Sequence, residues 1–165
     1  EAYFEVASGN ELPFVVHAHD LQVTALGTRF NIKAYSEDNT VTTTLVEGKV
    51  STETGEYSQV LYPYHEALYD KASGCIKVSE VADRLHAIPW LKDEIFFDND
   101  SLEEIAVMLE RMYNVNVVFS CEDVKAYSYT GLIRNNSLQN VLELISSTSP
   151  VGDRMTSDTI KFYLK

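Results

Sequence analysis

Between Leu21 and Val50 the chain reads LQVTALGTRFNIKAYSEDNTVTTTLVEGKV, and this stretch constrains the fold more than any other. Apolar and polar residues alternate along it, a period of two that suits a half-buried strand and not a helix. Leu21, Val23 and Ala25 share one face of a first strand, and Phe30, Ile32 and Ala34 share one face of a second. Gly27 supplies the backbone freedom for a bend or bulge between them. After the turn at Ser36-Glu37-Asp38-Asn39, Val41–Val46 is rich in the β-branched residues that suit a pleated surface. Glu47-Gly48-Lys49 then interrupts the pattern before another strand at Val50. No nucleophile, phosphate loop or metal cage falls within the stretch. It reads as a platform.

Short strand-like runs surround the platform. Tyr3–Ala7 and Phe14–His19 precede it, and Val50–Thr52, Tyr57–Leu61, Ala67–Asp70 and Cys75–Val78 follow, separated by turns such as Ala72-Ser73-Gly74. Turn signals about every eight to twelve residues, with no helical period between them, predict an all-β domain. The expected form is a sandwich, a roll or a β-helix-like stack over residues 1–88. From Ser79 to Leu85 the pattern allows a helical turn, which Ile88-Pro89-Trp90 ends. This is read as a linker, with Trp90, the one tryptophan in the chain, packed at the junction.

The second part, residues 89–165, has a different texture and contains an internal repeat. Asn99-Asp100-Ser101-Leu102-Glu103-Glu104-Ile105 is echoed by Asn135-Asn136-Ser137-Leu138-Gln139-Asn140-Val141. Each copy follows an apolar run and opens a helical pattern. Asp100 with Glu103 fits a capping box. Leu102, Ile105, Ala106, Leu109 and Met112 line one helical face, and Leu138, Val141, Leu142 and Ile145 line the other. Strands are expected at Ile95–Phe97, Asn116–Ser120, Tyr127–Ile133 and Thr159–Leu164. The predicted unit is a small α+β domain of β-α-β-β-α-β order, with a two-helix layer on a small sheet.

Charge narrows the partners. The 165 residues carry a formal net charge of -12, which argues against nucleic acid and against an anionic membrane surface. No apolar run is long enough to insert in a bilayer. Cys75 and Cys121 lie far apart without zinc spacing and read as free thiols, although an oxidising compartment would permit a disulfide. His17-Ala18-His19 places two imidazoles on one strand face, but no third ligand stands at useful spacing, so a polar outer face is preferred to a metal site. The paired carboxylates Glu37/Asp38, Asp98/Asp100 and Glu103/Glu104 and the serines form no catalytic constellation. No catalytic residue, cofactor or metal is expected. Tyr57, Tyr62, Tyr64 and Tyr69 crowd the region of Pro63, suiting either strand packing or an exposed carbohydrate- or protein-binding patch.

Several segments, in order, resemble the periplasmic region of FecR-type anti-sigma factors. Glu1–Val6 is similar to the family's opening strand and Phe14-Val15-Val16 to its next. Leu26-Gly27-Thr28-Arg29-Phe30-Asn31-Ile32 and Leu45-Val46-Glu47-Gly48-Lys49-Val50 resemble its two most distinctive stretches. Trp90, Phe96-Phe97 and Leu109–Val115 match the later half, which resembles the short N-terminal domain of secretins and TonB-dependent transducers. The chain departs from the family at Pro63-Tyr64, where a Pro-Gly turn is usual, and after Trp90, where Leu91 replaces a glycine.

The resemblance implies a periplasmic, signal-receiving region of an inner-membrane protein. Its partner would be the periplasmic signalling domain of a TonB-dependent outer-membrane transducer. Through a cytoplasmic part not in this chain it would regulate an extracytoplasmic-function sigma factor. The opening at Glu1, mid-strand and without Met, fits an excised or processed chain whose membrane helix lies elsewhere. Recognition would proceed by sheet-edge docking. The expected edges are Asn116–Ser120 and Thr159–Leu164, with Asn116, Val118, Ser120, Ile160 and Phe162 as partner-binding residues. The rival reading is a carbohydrate- or cell-surface-binding β module.

Overall fold

The alternation of the platform is realised as sheet. The computed structural model describes residues 1–9, 12–55, 57–81, 94–134 and 137–165. The chain divides into two units, Glu1–Ile88 and Pro89–Lys165. The proposed junction role of Trp90 lies outside the described residues, as does most of the linker.

The first unit contains nine strands among its described residues: β1 (Ala2–Glu5), β2 (Phe14–Ala18), β3 (Leu21–Ala25), β4 (Arg29–Lys33), β5 (Thr40–Glu47), β6 (Val50–Glu53), β7 (Ser58–Leu61), β8 (His65–Asp70) and β9 (Ile76–Glu80). They form two antiparallel sheets, β1-β4-β5-β8-β9 and β2-β3-β6-β7. One core joins the inner faces: Leu21, Val23 and Ala25 from β3, Phe30 and Ile32 from β4, Val41 and Leu45 from β5, with Val50, Leu61, Ala67 and Tyr69. Burying each of the larger aliphatic side chains contributes about 1.5–3 kcal/mol relative to exposure. Phe4 stacks on Phe30 at 5.1 Å, which fastens β1 over this core.

The two family-like stretches meet at one point. Gly27 and Gly48 both take positive φ, +62° and +91°. The backbone of Gly48 lies so close to its neighbours that a Cβ there would sit 2.7 Å from the Gly27 carbonyl oxygen and 2.7 Å from Thr28 Cγ2. A register shift in the β4–β5 pairing follows, between Arg29 and Phe30. Arg29 then lies between Glu47 (3.1 Å) and Glu5 (3.9 Å), one from each neighbouring strand. At the family's Pro-Gly position, the His65 N–H donates to the Tyr62 carbonyl at 3.1 Å and Tyr64 takes φ +63°. That is the third position of a turn that favours glycine, occupied here by tyrosine.

Three expectations for this unit need correction. Ala34 lies beyond β4 and is exposed, because the chain has already entered its turn. His19 is not on the strand with His17: it turns out of β2 at φ +59° and its Nδ1 meets Asp20 at 2.9 Å. Ser79 and Glu80 belong to β9, paired to Glu66 and His65, and not to a helical turn.

The second unit runs β10 (Glu94–Ser101), α1 (Leu102–Tyr113), β11 (Asn116–Phe119), α2 (Glu122–Lys125), β12 (Ser128–Arg134), α3 (Leu138–Thr148), β13 (Val151–Thr156) and β14 (Thr159–Leu164). It therefore adds a short helix and a strand to the expected β-α-β-β-α-β order. Its strands form an antiparallel pair, β10-β12, and a mixed sheet, β11-β14-β13, in place of one small sheet. A single core draws on all of these, including Phe97, Leu102, Ile105, Leu109, Val141, Ile145, Ile160 and Phe162.

The internal repeat is a pair of helix starts. Ser101 and Ser137 are the N-caps, accepting from the backbone N–H of Glu104 and Asn140 at 3.3 Å each. The capping box is thus Ser101 with Glu104 and not Asp100 with Glu103. Asp100 is still in β10, opposite Tyr129, next to a bulge where Asn99 takes φ +60°. The core face of α1 also drifts at its end: Met112 is 40% exposed, and Tyr113 packs against the core instead.

Hydrogen bonds from the Ser101 backbone N–H and hydroxyl hold the Glu104 carboxyl below the ordinary range. A carboxyl depressed by folding stabilises above its unfolded pKa, and the contribution is lost as pH falls through the lower folded value. Ser101→Ala is expected to cost about 1 kcal/mol at neutral pH. The gap between variant and wild-type midpoints should narrow in acid, as measured by denaturant titration across pH. A gap that widens in acid would contradict the capping box.

Candidate partner-binding site

The expected binding residues separate into two groups. Asn116, Val118 and Ser120 are exposed on one side of β11 and just beyond it. Ile160 and Phe162 are fully buried in β14. β14 is the central strand of its sheet, parallel to β11 on one side and antiparallel to β13 on the other, so Thr159–Leu164 is not an edge. Ile160 and Phe162 are core residues. Among the described residues β11 pairs with β14 alone, which leaves its other side open.

Hydrogen-bond parity decides what that open side offers. Asn116 N–H donates to the Asp158 carbonyl at 2.7 Å and Ser120 N–H to the Phe162 carbonyl at 2.9 Å. In a parallel ladder alternate residues face the same neighbour, so 116, 118 and 120 bond inward and 117 and 119 point out. The first outward donor is already engaged: Glu110 on α1 accepts from the Val117 N–H at 2.8 Å. A carboxylate lying on an edge donor is one way to blunt an open edge. Phe119 carries the second outward N–H, and its ring stacks on Phe162 at 6.1 Å. Lys125 sits 5.6 Å from that ring centroid and bridges Glu103 (3.3 Å) and Glu122 (3.0 Å), tying α2 to α1 beside the edge. Glu110 had no signal in the sequence, because its role depends on a contact between a helix and a strand.

The other candidates do not assemble. The tyrosines near Pro63 form no common patch: Tyr57 and Tyr62 are exposed, but Tyr69 is buried in the core. Among the described residues no three His, Cys, Asp or Glu side chains are grouped to hold a metal ion. Cys75 and Cys121 are each exposed and not joined. No helix among the described residues is long and apolar enough to cross a membrane.

Matches to known families fall in both units. The FecR protein family matches residues 1–51, and the FecR C-terminal family matches residues 94–162. The two matches follow in order, one in each unit. Among solved structures, the chain is similar to a Parabacteroides distasonis ATCC 8503 protein provisionally assigned as an anti-sigma factor, with crystal structures at 1.65 and 2.50 Å resolution. Each superposes with a TM-score of 0.81 at 28% identity, over 99% of this chain and 76% of that one. No curated protein sequence matches the chain.

Proposed function

We propose that this chain is the signal-receiving periplasmic region of a FecR-type anti-sigma factor. Its second unit, similar in role to the short N-terminal domain of secretins and TonB-dependent transducers, binds the periplasmic signalling domain of an outer-membrane transducer. A membrane helix and a cytoplasmic segment outside this chain would carry the signal to an extracytoplasmic-function sigma factor. Support comes from FecR matches to both units and from likeness to the Parabacteroides protein over nearly the whole chain. The open side of β11 is the single feature that supports where docking takes place, since strand addition needs unpaired outward groups.

Two substitutions test that edge. Proline at Val118 would break the ladder to β14, because that N–H points inward. Val117→Pro removes an outward donor together with its bond to Glu110 and leaves the ladder to β14 in place, which an edge strand tolerates. It is expected to leave the fold intact and weaken binding to the signalling domain by about tenfold. Glu110→Ala frees the Val117 N–H for an incoming carbonyl and should tighten binding by roughly threefold to tenfold. Both are read by titration calorimetry on folded variants. Unchanged affinity in both would sink edge docking.

A further inference from the structure

The face of the β11-β14-β13 sheet turned away from the core carries an unusual pair. Arg154 on β13 and Lys161 on β14 stand directly opposite each other, and Val118 on β11 is the next partner of Lys161. The faces are unambiguous, because Ile160 and Phe162 point into the core and their neighbours point out. Arg154, Lys161 and Val118 are all exposed. Like charges placed directly across a strand pair oppose its formation. Neither cation has an ion pair or side-chain hydrogen bond among the described residues. In a chain of net charge -12, with acidic side chains elsewhere to spare, this is a local reversal of sign. Tyr163 lies on the same face and covers Gly152, where a Cβ would come within 2.7 Å of its ring. The row therefore runs from an apolar edge residue to two cations, beside a fixed aromatic ring.

We infer that this row is a docking surface for an acidic segment of a partner protein. Resting on the function proposed above, that segment belongs to the transducer's signalling domain. Charge complementarity selects the occupant: the cations attract carboxylates, while the surrounding negative field repels nucleic acid and anionic lipid. Val118 lies on the open strand, so one partner can add a strand to β11 and set acidic side chains over Lys161 and Arg154. The repulsion built into the free sheet is relieved when carboxylates fill the row.

The test compares wild type with Arg154→Glu/Lys161→Glu, using two probes and backbone amide NMR. With the signalling domain, the double variant should bind at least about tenfold more weakly while remaining folded, and the wild-type affinity should fall as salt rises. With polyglutamate, wild type should show shifts at Val118, Arg154, Lys161 and Tyr163 that the double variant lacks. Equal binding of the signalling domain by both forms would overturn the inference and leave the proposed function standing. If the signalling domain fails to bind wild type, the proposed function falls, and the polyglutamate arm still decides the surface. Polyglutamate shifts absent from this row, or unchanged in the double variant, overturn it.

Discussion

Gly48→Ala is expected to unfold the first unit's platform, at a cost of about 3 kcal/mol or more. Two effects combine there. An alanine must hold φ +91°, and its Cβ must enter a space already filled by the Gly27 carbonyl and Thr28 Cγ2, each 2.7 Å away. The backbone oxygen cannot rotate aside as a flexible side chain would. A graded series separates the two effects. Gly74 has φ +70° but nothing within 4 Å of its Cβ position, so Gly74→Ala should cost only the backbone strain, about 1 kcal/mol. Gly55 has open space and no positive φ, and Gly55→Ala should be close to neutral, within about 0.5 kcal/mol. Denaturant midpoints of the first unit's transition give the order directly. A Gly48→Ala midpoint equal to that of Gly74→Ala would show that the close approach carries no energy.

The second large effect is Phe162→Ala, expected to cost about 3–5 kcal/mol. Phe162 is fully buried in the central strand of its sheet, stacked with Phe119, and its loss leaves a cavity that two neighbouring strands cannot close. Leu164, on the same strand but 41% exposed, serves as the comparison, with a loss below about 1 kcal/mol. Midpoints of the second unit's transition check both. If Phe162→Ala lost binding while keeping wild-type stability, Phe162 would be a contact residue after all, and its placement in the core would be wrong.

That error of placement shows where sequence reasoning stops. The period-two pattern from Leu21 to Val50 was legible because alternation alone sorts Leu21, Val23, Ala25, Phe30 and Ile32 onto the buried side. It overran only at Ala34, where nothing local marks the strand's end. Helical spacing likewise found Leu102, Ile105, Leu109, Val141 and Ile145. β13 was invisible: Gly152 and Asp153 are poor strand formers, and Tyr163 on the paired strand lies over Gly152. The turn that follows hides its nature too, since Ser157 takes φ +54° where glycine would have announced a hairpin. With β13 unseen, β14 looked like an edge. The capping box was ambiguous for a different reason, because Asp100–Glu103 and Ser101–Glu104 both fit the spacing. Only the bulge at Asn99, which keeps Asp100 in the strand, decides between them.

Of the candidate site, Asn116–Ser120 was legible as a sheet edge, and which of its backbone groups are available there was not. Which backbone groups point outward depends on pairing to β14, and whether they are free depends on Glu110 reaching across from α1. Both are consequences of tertiary structure.

The most direct test of the proposed role is calorimetric titration of this chain with the periplasmic signalling domain of a TonB-dependent outer-membrane transducer from the same organism. The prediction is saturable one-to-one binding at about micromolar affinity or tighter. Absence of binding, with both proteins shown to be folded, would contradict direct reception of the signal by this region.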